Sequence, residues 1–152
     1  MAAAKEELTM RTVDWPRVVA AGSLWATVYN IIWGAAWFAF MRDEWIQATA
    51  SAGRPMPWTV EVWFVWALLM LPIGIGIAAY AAGKQSAIRA ALSTAMVLWI
   101  VLTVAMAIHA LPEKVGLRII ILDSAVNLGA LLAASFAAGW SAQTRTPAQL
   151  QS

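Results

Sequence analysis

Long apolar runs separated by short polar segments are the dominant pattern of this chain. Four runs of at least 22 residues stand out: Val18–Met41, Val62–Gly83, Ala90–Leu111 and Ile119–Trp140. A helix needs about 20 apolar residues to cross a hydrocarbon core, and a soluble core helix of this length would carry a polar stripe at helical spacing. The pattern predicts four membrane-spanning helices, at about 16–41, 58–83, 87–111 and 117–141.

Length and composition support one membrane domain. The chain has 152 residues, of which 62% are hydrophobic, well above the usage of soluble domains. We therefore expect an all-α, integral membrane four-helix bundle that occupies residues 1–152, with polar tails at 1–14 and 142–152. Its environment is the lipid bilayer. The net charge of +2 is spread over loops and tails, and it gives no support to nucleic-acid binding.

The distribution of Lys and Arg predicts the orientation of the bundle. Cytoplasmic loops carry the excess of these residues. Six lie on the side of the two termini, namely Lys5, Arg11, Arg17, Lys84, Arg89 and Arg145. Four lie on the other side, namely Arg42, Arg54, Lys114 and Arg118. Both termini are predicted to be cytoplasmic.

Polar residues inside the runs are expected to face the bundle interior, because they are costly in lipid. The first run carries one such face, formed by Ser23, Thr27, Asn30, Gly34 and Trp37, and the fourth carries another, formed by Asp123, Asn127, Ala130 and Ala134. At about 1.5 Å per residue, Asn30 and Asn127 reach similar depths. They could therefore pair near the midplane if the first and fourth helices are neighbours, as an interhelical hydrogen bond that fixes the packing.

A second polar level is predicted nearer the outer surface, where Glu61, His109 and Asp123 could converge. Each also has a structural interpretation. Glu61 suits the first turn of a helix, His109 could lie among the headgroups, and Asp123 could pair with Arg118. Asp123 is nevertheless the only carboxylate well inside an apolar run, and it could carry protons, anchor a cation or act as a general acid. It is the strongest functional candidate.

Ten tryptophans are unusual for a chain of this size. An aromatic belt at each membrane interface explains Trp15, Trp45, Trp58 and Trp140. Four others lie deeper, in the first two helices: Trp33, Trp37, Trp63 and Trp66. They could line an aromatic pocket that opens outward, fill the bundle, or contact a partner subunit.

Metal and catalytic motifs are missing from the sequence. There is no cysteine and only one histidine, so thiolate chemistry and bis-histidine haem ligation within one chain are excluded. His109, Asp123 and Glu61 have suitable ligand types but no recognisable ligand spacing. We predict neither a catalytic residue nor a metal site, and the sequence identifies no cofactor.

Several short segments resemble an uncharacterised bacterial membrane family, catalogued as domain of unknown function seventeen-sixty-one. They are Asp14–Trp15, the stretch Gly34–Phe38 with Trp45 beyond it, and Leu122–Asp123. Members of that family look like four-helix inner-membrane proteins of about this size. The resemblance implies a multi-pass protein of the bacterial inner membrane and carries no established activity.

Three functional hypotheses follow from these features. The first is a non-enzymatic protein that binds a partner membrane subunit, or an apolar or amphipathic ligand, in the outer half of the bundle. Small-residue faces at Gly74–Ala78–Ala82 and Gly129–Ala133–Ala137 would also permit a homo-oligomer. The second is a proton-coupled small-molecule transporter that acts as a dimer, with Asp123 as the protonatable site. The third is a membrane enzyme in which His109 and Asp123 form an acid–base pair.

Overall fold

A computed structural model describes residues 13–53, 59–110 and 115–143, and these segments are almost entirely helical. The elements are α1 (Trp15–Ala36), a π-helical turn (Trp37–Met41), α2 (Arg42–Ser51), α3 (Val60–Ala82), α4 (Ala87–Ala110) and α5 (Leu117–Ala142). The first three are continuous, so that a single helix of 37 residues extends from Trp15 to Ser51. The apolar run that ends at Met41 does not end the helix.

Side-chain caps fix where the helices begin. Asp14 accepts a hydrogen bond from the backbone N–H of Arg17 at 3.3 Å and so caps α1, and Pro16 suits the first turn because it needs no intrahelical donor. The Arg17 guanidinium donates to the backbone oxygens of Ser141, at 3.0 Å, and of Gln143. These bonds join the start of α1 to the end of α5. We call this end of the bundle the termini end and the opposite end the distal end.

Glycines allow the helices to approach closely. A Cβ atom on Gly22 of α1 would lie 2.5 Å from the Cα of Ile75, and one on Gly74 of α3 would lie 2.4 Å from the Gly22 oxygen. A Cβ on Gly139 of α5 would lie 2.7 Å from the Cα of Ile88 in α4. Helix α1 therefore packs against α3 on one side and α5 on the other, and α4 packs mainly against α5.

Only one of the two small-residue faces predicted from the sequence packs inside the bundle. Gly74 and Ala78 are buried, whereas Gly129 and Ala133 are exposed, with nothing within 4 Å of a Cβ placed on Gly129. The buried small residues of α5 are one position further along, at Ala130, Ala134 and Ala138. One residue turns a helix by about 100°, which moves the contact to a neighbouring face.

The outer surface of the bundle is apolar. Ile31, Phe38, Phe64, Val97 and Ile108 are each more than 60% exposed. Four helices are long and apolar enough to cross a membrane: Trp15–Ser51, Val60–Ala82, Ala87–Ile108 and Leu117–Ala142. This confirms the predicted all-α bundle of four membrane-spanning helices and indicates a multi-pass membrane protein.

Candidate ligand cavity

One face of the long first helix carries a row of large side chains spaced four residues apart: Trp25, Tyr29, Trp33, Trp37, Met41, Trp45 and Thr49. All are buried except Trp45, which is half-buried. Four residues overshoot an α-helical turn by about 40°, so in a regular helix this row would wind away from the core. The π turn contains more residues per turn than an α-helix, so each of its residues rotates the helix by less and part of the excess of about 40° is cancelled. Trp45 and Thr49 therefore stay on the side of the helix that Trp33 occupies.

A hydrogen-bonded chain of polar side chains connects α1 to α5. The Tyr29 hydroxyl donates to Asn127 Oδ1 at 2.6 Å, and Asn127 Nδ2 donates to Asp123 Oδ1 at 2.8 Å. The indole N–H of Trp33 donates to the same oxygen of Asp123 at 3.3 Å. Asp123 is only 8% exposed, so these bonds hold the carboxyl group in a fixed position within the bundle.

Beside this chain lies a cavity of about 460 Å³, within the range of small-molecule sites. It lies in the distal half of the bundle, because α5 begins at Leu117, six residues before Asp123. Elements α1, α2, α3, α4 and α5 all contribute to its wall. The lining residues are Tyr29, Trp33, Trp37, Trp45, Thr49, Trp66, Leu102, Thr103, Ala105, Met106, Ala110, Asp123 and Asn127.

Asp123 is the only carboxylate among the described residues that line the cavity, and none of these residues is basic. Both side-chain donors that reach the carboxyl group bind Oδ1, and no donor in the described part of the chain reaches Oδ2. A negative charge on Asp123 would therefore have no cation beside it within the described segments. Burying an unpaired charge is costly, so the site favours an occupant that brings a positive charge or a hydrogen-bond donor.

Aromatic rings form part of the cavity wall near this carboxyl group. The rings of Trp33 and Trp37 are stacked, with centroids 5.4 Å apart, and the ring of Trp66 lies 6.0 Å from that of Trp33. Trp63 lies 6.4 Å from Trp33 but does not line the cavity. The cavity thus combines one acidic group with large apolar surfaces whose faces attract cations.

Four buried polar atoms have no hydrogen-bond partner in the described part of the chain. They are Asn30 Oδ1 and the indole nitrogens of Trp45, Trp63 and Trp66. An unsatisfied buried donor or acceptor costs about 1–3 kcal/mol. Trp45 and Trp66 belong to the cavity wall, so this region of the bundle is not arranged for maximum stability.

The predicted pairing of Asn30 with Asn127 is wrong. Asn30 Nδ2 donates to the Ala26 oxygen of its own helix at 2.8 Å and to the Ala67 oxygen of α3 at 3.4 Å. Asn127 instead accepts from Tyr29. Tyr29 and Asn30 are adjacent in sequence but about 100° apart around α1, so that only Tyr29 faces α5.

Thr27, another member of the polar face predicted on the first helix, does not face the bundle interior, whereas Gly34 and Trp37 of that face are buried. Thr27 is exposed, and its hydroxyl donates to the Ser23 oxygen one turn earlier at 2.8 Å. A threonine can satisfy its hydroxyl in this way without a partner helix. This bond explains why a polar side chain at Thr27 is tolerated on the outside of the bundle.

The predicted outer level required Glu61, His109 and Asp123 to lie close together, and the structure does not place Glu61 near Asp123. Glu61 is exposed in the first turn of α3 and is not part of the cavity wall. His109 lies in α4, but its side chain lies outside what the structure describes. The alternative pairing of Asp123 with Arg118 is also wrong, because Arg118 is exposed and binds Glu44 at 3.2 Å.

Sequence reasoning missed Tyr29, Trp45 and Thr49 as members of the site. Trp45 was assigned to an interfacial belt because the apolar run ends at Met41, whereas the helix continues to Ser51. The signal that could have found all three is the spacing of four in the row of large side chains. Of the four deep tryptophans, Trp33, Trp37 and Trp66 line the cavity and Trp63 packs behind them.

A second polar contact joins α4 to α5 next to the cavity. The Trp99 indole N–H donates to the backbone oxygen of Ser124 at 2.9 Å and to its Oγ at 3.0 Å. The Thr103 hydroxyl lies 2.8 Å from the same Oγ. Ser124 follows Asp123 directly, so this contact fixes the start of α5 and supports the position of the carboxyl group.

Comparisons with family models, with curated proteins and with solved structures found no match for this chain. The resemblance to the uncharacterised bacterial family therefore stays a prediction. The functional argument rests on the cavity itself.

Proposed function

We propose that this multi-pass membrane protein is non-enzymatic and binds an amphipathic small molecule in the cavity, and that the ligand is an organic cation. The single observation that carries the proposal is the position of Asp123. It is a buried carboxyl group in a ligand-sized cavity, and among the described residues no donor reaches its Oδ2 and no basic side chain lines the cavity. An ammonium group beside Asp123 would supply the missing counter-charge.

The aromatic wall supports the same class of ligand. Cations are attracted to the faces of Trp rings within about 6 Å, most strongly when water is excluded. Trp33, Trp37 and Trp66 offer such faces next to the carboxyl group. The remaining lining residues, such as Leu102 and Met106, would bury the apolar part of the ligand, whose transfer from water is favourable.

The proposal is tested with two probes of matched size, 4-phenylbutylamine and 4-phenylbutanol. Binding to the detergent-solubilised protein is followed by tryptophan fluorescence. We expect the amine to bind at least about tenfold more tightly than the alcohol, which corresponds to about 1.4 kcal/mol. Asp123→Asn should remove most of this difference while preserving the acceptor for Trp33.

Asp43→Asn is the matched control, since Asp43 is an exposed acid at the distal end that does not line the cavity. It should leave the preference for the amine unchanged. Equal binding of amine and alcohol by the unmodified protein, or an equal loss in both variants, would contradict a counter-ion role for Asp123.

A second candidate function is proton-coupled transport of such a cation by a dimer. It is favoured by the buried carboxyl group of Asp123, which lines the cavity and could bind either a proton or the cation. Asp123 would exchange a proton for the substrate. Adding the amine to weakly buffered protein should then release protons. Ligand binding without proton release, or equal release from Asp123→Asn, would argue for a binding protein alone.

Partner or homo-oligomer binding remains a prediction. The exposed small-residue face that contains Gly129 and Ala133 is the surface on which a second membrane helix would pack closely. Gentle extraction should yield a stoichiometric complex if this face is used. The enzyme hypothesis also stays a prediction, and it requires the His109 side chain to lie within hydrogen-bond reach of Asp123, directly or through a water.

We place the protein in the bacterial inner membrane with both termini in the cytoplasm, so that the cavity lies in the outer half. The excess of Lys and Arg at the termini end supports this orientation. Because the chain has no cysteine, single cysteines introduced on either side of the membrane can report the orientation. An impermeant maleimide should label Gln47→Cys in intact cells, and Gln85→Cys only after permeabilisation. The reverse pattern would invert the orientation.

A further inference from the structure

A second concave site lies on the outside of the bundle at the distal end. We call it the distal groove. It has a volume of about 460 Å³ and lies between the π turn and the start of α3. Its polar edge is formed by Arg42 and Thr59, and its apolar wall by Trp37, Phe38, Val60, Trp63, Phe64 and Ala67.

The groove combines a lipid-facing wall with a cation. Phe38 is 65% exposed and Phe64 63% exposed, on helices that are long and apolar enough to cross the membrane. Arg42 is exposed and is the first residue of α2, where the apolar run has ended. In the described part of the chain, no carboxylate forms a salt bridge with Arg42, whereas Arg118 is paired with Glu44.

An acidic group lies at the same edge. Glu61 is exposed in the first turn of α3 and follows directly after Thr59 and Val60, which line the groove. The polar edge therefore offers a guanidinium group and a carboxylate above an apolar trough. A guanidinium group matches the geometry of a phosphate, and a carboxylate accepts hydrogen bonds from a primary ammonium group.

We propose that the distal groove binds one phosphatidylethanolamine molecule. The phosphate contacts Arg42, the ammonium group contacts Glu61, and an acyl chain lies along Phe38 and Phe64. The two opposite charges at the edge favour a zwitterionic headgroup over an anionic one, because Glu61 would repel a lipid with net negative charge. A primary ammonium group is favoured over a quaternary one because it can donate hydrogen bonds. The groove shares Trp37 with the cavity wall, but the lipid proposal does not depend on the function proposed for the cavity.

Native mass spectrometry of delipidated protein tests the proposal, with phosphatidylethanolamine, phosphatidylcholine and phosphatidylglycerol of identical acyl chains added in turn. We expect one phosphatidylethanolamine to be retained at least about fivefold more than either other lipid. Arg42→Gln should lower this retention at least about fivefold. Arg118→Gln is the matched control, an exposed arginine at the same end that does not border the groove, and it should retain the lipid as the unmodified protein does.

Further variants separate this site from the cavity. Glu61→Gln should remove the preference for phosphatidylethanolamine over phosphatidylcholine, whereas Asp123→Asn should leave lipid retention unchanged even if it abolishes amine binding. Preferential retention of phosphatidylglycerol, equal retention of the three lipids, or equal retention by Arg42→Gln and the unmodified protein would each overturn the proposal.

Discussion

Two glycines of α3 test how closely α1 and α3 cross, because one lies in the contact and the other on an open surface. Gly74 and Gly76 are two residues apart on α3. A Cβ on Gly74 would lie 2.4 Å from the Gly22 oxygen and 3.0 Å from the Trp25 ring, whereas one on Gly76 would meet nothing within 4 Å. Gly74→Ala therefore forces the two helices apart, and Gly76→Ala adds a methyl group to an open surface.

The difference between the two variants isolates the cost of that separation. Both replace glycine by alanine inside one helix, so the gain in helix propensity of about 1 kcal/mol is common to both and cancels. Overpacking of a well-packed contact costs about 1–3 kcal/mol. We expect Gly74→Ala to be less stable than Gly76→Ala by this amount, and Gly76→Ala to be as stable as the unmodified protein or slightly more stable.

Unfolding of the detergent-solubilised protein by sodium dodecyl sulfate, followed by circular dichroism, measures both variants under the same conditions. Gly74→Ala should also weaken amine binding, because the crossing holds Trp66 of α3 at 6.0 Å from Trp33 of α1. Unfolding free energies within about 0.5 kcal/mol of each other would refute the close approach of the two backbones at Gly22 and Gly74, since that agreement is expected only for independent surface sites.

Two further predictions concern hydrogen bonds and charges. Trp25→Phe should lower the unfolding free energy by about 1–2 kcal/mol more than Trp66→Phe in the same assay. The reason is that the Trp25 indole N–H donates to the buried Ser135 hydroxyl at 2.8 Å, whereas the Trp66 N–H has no partner in the described part of the chain. Equal costs would contradict this contribution of the Trp25 hydrogen bond. Glu44→Gln removes the ion pair with Arg118. It should change the unfolding free energy by less than about 1 kcal/mol at low salt, because exposed pairs are weak, and by less still at about 0.5 M salt, because salt screens them. A larger effect that persists in high salt would contradict this.

The apolar runs were sufficient to predict the fold class, because a membrane imposes a minimum length of apolar helix that soluble folds rarely reach. They were not sufficient to predict which face of each helix is buried. In lipid, the outer surface and the interior are both apolar, so hydropathy does not distinguish them. The error at Asn30, which faces α3 instead of α5, is a displacement by one residue, and the exposed Gly129 likewise lies one residue before the buried Ala130.

The candidate site was predicted in part for a similar reason. Asp123 was recognised because a carboxyl group inside an apolar run is conspicuous by composition alone. Tyr29 and Trp45 were not recognised as site residues, because only the direction of their side chains places them in the cavity wall. For Trp45, which follows the π turn, that direction also depends on the turn. The loss of i→i+4 hydrogen bonds within Trp37–Met41 leaves no mark in a sequence that contains no proline or glycine there.

The π turn acts as a spacer that absorbs one extra residue without changing the heading of the helix that follows it. A regular helix turns by about 100° per residue and a π-helix by less, so the five residues Trp37–Met41 cover nearly the rotation of four α-helical ones. Deletion of a single residue such as Ala39 would therefore close the wide turn into a regular one and leave Trp45 and Thr49 in the cavity wall. Deletion of Asp43, in the regular helix that follows, has no such reserve and would rotate both side chains by about 100° out of that wall. The π turn should therefore accept the loss of one residue more readily than the regular helix beside it.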